Sequence, residues 1–171
     1  SGHTKGALTA VKQIAEMKVD VPMLAMTHCD AAKLSKQHGK KSEYALCASQ
    51  WHKTLSYTDA FFKDGMTYDA DFKKAFGYAP PYQAAESSAA LLVFKDAFER
   101  ANDFDTKKVR NALAKTDMQT FYGNIKFAKG GQNVSKPMVL FQVICNSDGS
   151  KCENKVVAPT KWASAKLVHP T

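Results

Sequence analysis

Cys145 and Cys152 bracket Asn146-Ser147-Asp148-Gly149-Ser150-Lys151, with an apolar run on either side. Asp-Gly is a strong two-residue hairpin signal, because both residue types tolerate positive φ. With Asp148 and Gly149 at the turn centre, Ser147 faces Ser150, Asn146 faces Lys151 and Cys145 faces Cys152. Directly opposed strand residues have Cα atoms about 4.5–5.5 Å apart, within disulfide reach. Closing so short a loop stabilises a fold by roughly 2.5 kcal/mol in the chain-entropy model. Two states fit the pair: a disulfide, which implies an oxidising compartment, and two reduced thiols on a hairpin. In both, 137–145 and 152–157 read as paired strands.

Upstream, the hydrophobic period alternates between helix and strand. Leu8, Val11, Ile14 and Ala15 predict a helix over 5–18, and 21–26 reads as a short buried strand. A helical turn or loop over 30–37 leads to a second strand over 44–50, which runs into Trp51-His52. This helix-strand-turn-strand order is the texture of a parallel α/β sheet. The middle of the chain is helical. Phe72, Ala75 and Phe76 share one face of a helix over 68–76 that stops at Gly77. After Pro80-Pro81, a long helix over 82–101 is expected to bury Ala90, Leu91, Phe94, Ala97, Phe98 and Ala101. Asp103 or Asp105 can cap a third helix, running through Lys115, that buries Val109, Ala112 and Leu113. A short strand over 123–127 and a turn over 129–133 complete the pass. There is no internal repeat and no low-complexity segment.

The 171 residues are 44% hydrophobic, enough for one core or two small lobes. The net charge of +8 raises nucleic acid as a partner, but the lysines are scattered and the arginines are two, Arg100 and Arg110. Base-edge readout favours arginine, so a lysine-rich solvated surface is the better reading and no nucleic acid is expected. No apolar run approaches the roughly 20 residues of a membrane span, and residues 1–5 lack the apolar core of a signal peptide.

His28, Cys29, Cys47 and His52 are metal-ligand types, but adjacent ligands seldom converge on one ion and no Cys-x-x-Cys occurs. A Cys29–Cys47 disulfide fits better, because sequential strands of a parallel sheet are often neighbours. Neither a metal nor another cofactor is expected. Cysteine catalysis needs a base and an orienting group that the sequence does not assign, and no phosphate-binding glycine loop is present. The chain therefore reads as a non-enzyme with no catalytic residues. Glu86 lies near the start of the longest helix, among Ala84, Ala85, Ser87 and Ser88. It is either a first-turn carboxylate complementing the helix dipole or, with Ser87, a pocket group beside a helix N-terminus.

Taken together, several segments resemble the type I periplasmic binding proteins of the Leu/Ile/Val-binding class. These are Gln50-Trp51-His52, Tyr122-Gly123-Asn124-Ile125-Lys126-Phe127, Gly131-Gln132-Asn133-Val134-Ser135-Lys136-Pro137-Met138 and Val139-Leu140-Phe141-Gln142-Val143. The order and spacing of Phe72, Gly77, Pro81-Tyr82 and the alanine-rich helix agree with them. The resemblance implies an α/β, two-lobed fold of parallel sheets flanked by helices, with a C-terminal β-hairpin and the solute enclosed between lobes. It implies that this chain corresponds to the C-terminal portion of such a protein. Residues 1–48 would belong to the second lobe, 49–136 to the later part of the first lobe, and 137–171 would form the hairpin and tail returning toward the second.

The implied function is an extracytoplasmic, periplasmic solute-binding subunit of an ABC importer, partnered by its membrane permease subunits. A ligand-sensing receptor domain of the same fold, without transport, is the alternative. The ligand-facing positions implied are His3, Thr27, His28, Glu86 and Ser87. The class often has an aromatic residue at the first and an acidic residue at the second, and His3 and Thr27 depart from that. The small-molecule ligand is thereby widened from an amino acid to aromatic acids, amides and other small organic anions. Lacking much of both lobes, the chain alone is expected to self-associate through unpaired edges and apolar faces.

Overall fold

The computed structural model describes residues 3–27, 29 and 31–169. In chain order the elements are α1 (Thr4–Glu16), β1 (Ala25–Thr27), α2 (Ala31–His38), β2 (Leu46–Ser49), β3 (Thr58–Asp59) and β4 (Lys63–Asp64). Three helices follow: α3 (Gly65–Phe76), α4 (Tyr82–Ala101) and α5 (Thr106–Leu113). The chain closes with β5 (Asp117–Thr120), β6 (Gly123–Lys126), β7 (Val139–Cys145) and β8 (Cys152–Ala158). Two compact units result, Ser1–Ser49 with Met138–Thr171, and Gln50–Pro137.

The first unit is built on a mixed four-stranded sheet in the order β1-β2-β7-β8. β1 and β2 run parallel, whereas β7 is antiparallel to both β2 and β8. Leu46 and Cys47 of β2 and Val139, Phe141 and Val143 of β7 are buried, with Val11, Leu34 and Val156 packed in the same unit. β1 is an edge strand of three residues, later and shorter than the apolar run 21–26 suggests. The buried Gln142 amide links elements distant in sequence. Its Nε2 donates to the carbonyls of Tyr44 and Val168, and the Val168 N–H donates to its Oε1 at 2.8 Å.

Cys145 is paired with Cys152 across the β7–β8 hairpin, and the two are joined as a disulfide. The turn between them differs from the expected one. The Gly149 N–H donates to the Asn146 carbonyl at 2.9 Å, so Ser147 and Asp148 are the central pair and Gly149 follows at φ +71°. Asp148 accepts the Ser150 N–H through its side chain, which fixes this conformation without positive φ at Asp148.

The second unit packs α3, α4 and α5 with the hairpins β3–β4 and β5–β6. Its centre is aromatic: Phe121, wholly buried, lies 4.3 Å from Tyr68, 5.0 Å from Phe62 and 6.0 Å from Trp51 between ring centroids. Asp105 caps α5 by accepting the N–H groups of Lys107 and Lys108, and Asp64 caps α3 by accepting from Thr67. Gly77 ends α3 in the left-handed conformation.

One expected helix face is corrected. On α4 the buried row is Ala85, Ala89, Val93 and Ala97, whereas Leu91 is 70% exposed, Phe94 45% and Phe98 37%. The buried face is thus turned from the expected one by roughly a third of a turn, with Ala97 common to both. Small side chains let α5 and β5 approach closely, and that contact outweighs the attraction of the larger residues. On α3 the buried residues are Gly65, Tyr68 and Asp69, and Phe76 is exposed. Gly65 permits another close approach, since a Cβ there would stand 2.6 Å from the Lys53 carbonyl oxygen.

Replacing Phe121 by Ala should empty the aromatic cluster and destabilise the chain by about 3–5 kcal/mol. Urea denaturation followed by tryptophan fluorescence measures this, because Trp51 lines the same cluster.

Candidate functional site

Each unit carries part of the expected ligand-facing set. In the first, Thr27 is the last residue of β1, at the carboxyl end of the parallel β1–β2 pair. That end of an α/β sheet is where ligands characteristically bind. The Thr27 Oγ1 is enclosed and has no hydrogen-bond partner among the described residues. His3 is exposed and stands at the N-cap of α1, where its carbonyl accepts the Ala7 N–H at 3.2 Å. His28 lies outside the described residues. Cys29 is bonded to Cys47, with Cα atoms 5.7 Å apart.

In the second unit, Glu86 and Ser87 are exposed on α4. The helix begins at Tyr82 after Pro81, so Glu86 lies in the second turn and the first-turn dipole reading does not apply. Glu86 lines a cavity of about 580 Å³ whose other polar walls include Gln50, Tyr122 and Lys136. Lys136 Nζ donates to the Gln50 carbonyl and sits 4.3 Å from the centre of the Tyr122 ring. Burial pulls the Lys136 ammonium down to about 8, against the opposing pull of the Glu86 charge. Burial, then the nearby Glu86 carboxylate, pushes the Tyr122 hydroxyl up, so it remains a neutral donor. Gln50 and Lys136 lie in segments that carry the family resemblance, yet nothing in the sequence assigns them to the surroundings of Glu86.

A second polar cluster ties the segment after β2 to α3. The buried Asp69 carboxylate accepts from Lys73 Nζ at 2.6 Å and Lys53 Nζ at 3.1 Å. Burial alone would raise its pKa, but these two hydrogen bonds and charges outweigh it and hold Asp69 low. His52, beside them, is pulled down to about 4 by burial and then by the Lys53 charge, with Asp69 opposing. It is neutral at pH 7, and its Nδ1 lies 2.8 Å from Thr54 Oγ1. Among the described residues, no group of three or more His, Cys, Asp or Glu could hold a metal ion, and no helix is long and apolar enough to cross a membrane.

A family model described as periplasmic binding protein matches residues 2–150, and the chain belongs to that family. Solved structures share its fold. A leucine-binding protein, LivK, of Thermotoga maritima is 21% identical with a TM-score of 0.72, over 94% of this chain and 44% of that one. The leucine-, isoleucine-, valine-, threonine- and alanine-binding protein of Brucella ovis, in a closed conformation, is 15% identical with a TM-score of 0.73, over 98% and 44%. A putative branched-chain amino acid ABC transporter protein of Silicibacter pomeroyi is 15% identical with a TM-score of 0.72, over 98% and 45%. The chain thus spans less than half the length of the structures it matches. The fold is the α/β type I periplasmic binding protein fold, and the family is one of solute-binding proteins.

The state of His52 makes a pH prediction. Its folded pKa of about 4 lies below the ordinary 6.5, so between these values the unfolded chain binds the additional proton. The stability that neutral His52 contributes is complete above pH 6.5 and is lost as pH falls toward 4. Urea midpoints measured from pH 7 to pH 4 should decline less steeply in His52→Gln than in the natural sequence.

Proposed function

We propose that the protein is an extracytoplasmic solute-binding subunit of an ABC importer, which encloses a small organic solute between two lobes and delivers it to permease subunits. The match of residues 2–150 to the periplasmic binding protein family carries this reading. The names of the Thermotoga maritima and Brucella ovis proteins, which bind leucine and other amino acids, support testing amino acids first. His3, Thr27, His28, Glu86 and Ser87 are the proposed contacts. They offer hydroxyls, imidazoles and one carboxylate, which suits an amino acid, an amide or an aromatic acid with hydrogen-bonding groups at one end. Enclosure removes such a solute from water and strengthens each polar contact.

Native mass spectrometry of the full-length protein tests the capture of a solute directly, and calorimetry with L-leucine, phenylacetate and benzamide tests the class. Glu86→Ala and Ser87→Ala should each weaken binding about tenfold, the loss of roughly 1.4 kcal/mol of hydrogen bonding. Because both side chains are exposed, the melting temperature should stay unchanged. A role in folding alone would give the reverse pattern.

The chain taken alone is also proposed to self-associate. Leu91, Phe94 and Phe98 lie exposed on α4, and Phe104 beyond it is 85% exposed. Light scattering at micromolar concentration should report a mass above that of one chain, and Phe94→Asp should reduce it.

A further inference from the structure

We infer that the Cys29–Cys47 disulfide, which ties Cys29 to β2 two residues after the end of β1, positions Thr27 for solute recognition. The inference rests on the solute-binding reading proposed above and goes beyond it by giving the disulfide a role in affinity.

The register supplies the geometry. Ala25, Met26 and Thr27 pair with Leu46, Cys47 and Ala48 in a parallel ladder. If β1 continued at that register, Cys29 would fall three residues further along β2 than Cys47, which is about 10 Å. Instead the Cα atoms of Cys29 and Cys47 are 5.7 Å apart. Cys29 therefore stands beside Cys47 rather than further along β2, and the covalent bond holds it there.

β1 has three residues and pairs with β2 over all three. Short ladders fray readily, because few hydrogen bonds offset the entropy of fixing the strand, and a covalent tie just beyond the last pair opposes that fraying. Cys47 is an effective anchor, being 1% exposed in a strand paired on both sides. Thr27 is the last pair of the ladder, two residues before the bonded Cys29, and its enclosed Oγ1 has no partner among the described residues. An enclosed hydroxyl left unpaired costs free energy, and such groups concentrate where a ligand supplies the missing partner.

The second disulfide provides an internal control. Thr27 is level with Ala48, and Ala48 with Leu140. Cys145 lies five residues beyond Leu140 on β7, toward the amino end of β2, which is about 17 Å from the Thr27 level. Cys145–Cys152 also closes a shorter loop, with a sequence separation of 7 against 18. It stabilises the hairpin at the opposite end of the sheet and should leave recognition alone.

The test uses the full-length protein, with L-leucine, phenylacetate and benzamide as probes in calorimetry. Cys29→Ala/Cys47→Ala should weaken the binding of whichever probe binds at least tenfold, measured well below the melting temperature. Cys145→Ala/Cys152→Ala should lower the melting temperature and leave affinity within twofold. Thr27→Val should weaken binding when the Cys29–Cys47 bond is present and have little further effect when it is absent, which a purely structural disulfide would not produce. Unchanged affinity in Cys29→Ala/Cys47→Ala, or equal losses from Thr27→Val with and without the bond, overturns the inference. Should that variant not fold, hydrogen exchange on the natural protein decides. Probe binding should slow exchange several-fold in peptides covering 24–29, and no slowing there overturns the inference as well. Failure of all three probes to bind the natural protein would instead overturn the solute-binding reading beneath it.

Discussion

The pairing of β2 with β7 is the constraint on which the first unit depends. Leu46, Cys47, Ala48 and Ser49 lie opposite Gln142, Phe141, Leu140 and Val139, and the whole second unit, Gln50–Pro137, is threaded between them. Closing so long a connection costs entropy, although the cost rises only slowly with length. The return comes from burial. Val139 and Val143 are almost wholly inaccessible, and Phe141 and Cys47 are buried with them. Without this register, β1 has no neighbour fixed in the sheet and the β7–β8 hairpin has no partner on its other side.

The parts of the fold legible in the sequence were those fixed by local chemistry. Pro81 precedes α4, Asp105 caps α5, and Gly77 terminates α3 with the positive φ that few residues accept. The orientation of α4 was not legible, because alanines contribute little to a hydrophobic period yet permit the closest helix packing. The two-residue strands β3 and β4 carry no period at all. They are secured by Asp59, whose carboxylate accepts N–H groups from Phe61, Phe62 and the distant Phe121. The surroundings of Glu86 were not legible in the sequence. Lys136, Tyr122 and Gln50 gather near Glu86 only through tertiary structure.

The exposed side of α4 has a texture unlike ordinary solvated helix. Phe94 and Phe98 are 6.1 Å apart and Phe98 and Phe104 5.3 Å apart, forming a row of rings along the unit. Ion pairs between Lys95 and Glu99 and between Asp96 and Arg100 accompany this row on the same helix. Apolar rows accompanied by charge are a common form of packing surface. The matched structures are more than twice as long as this chain.

Inserting one unit within the sequence of the other also sets a mechanical order. Residues 3–27 and the segment around Val168 both belong to the unit that contains β2 and β7. Tension applied through the two ends of the chain is carried first by that sheet and by the Gln142 amide gripping Val168. Gln50–Pro137 lies inside a loop whose neck is the β2–β7 ladder, so it bears no load until the ladder parts. The helical unit is thereby shielded from pulling, and the sheet acts as the weak link that yields before it.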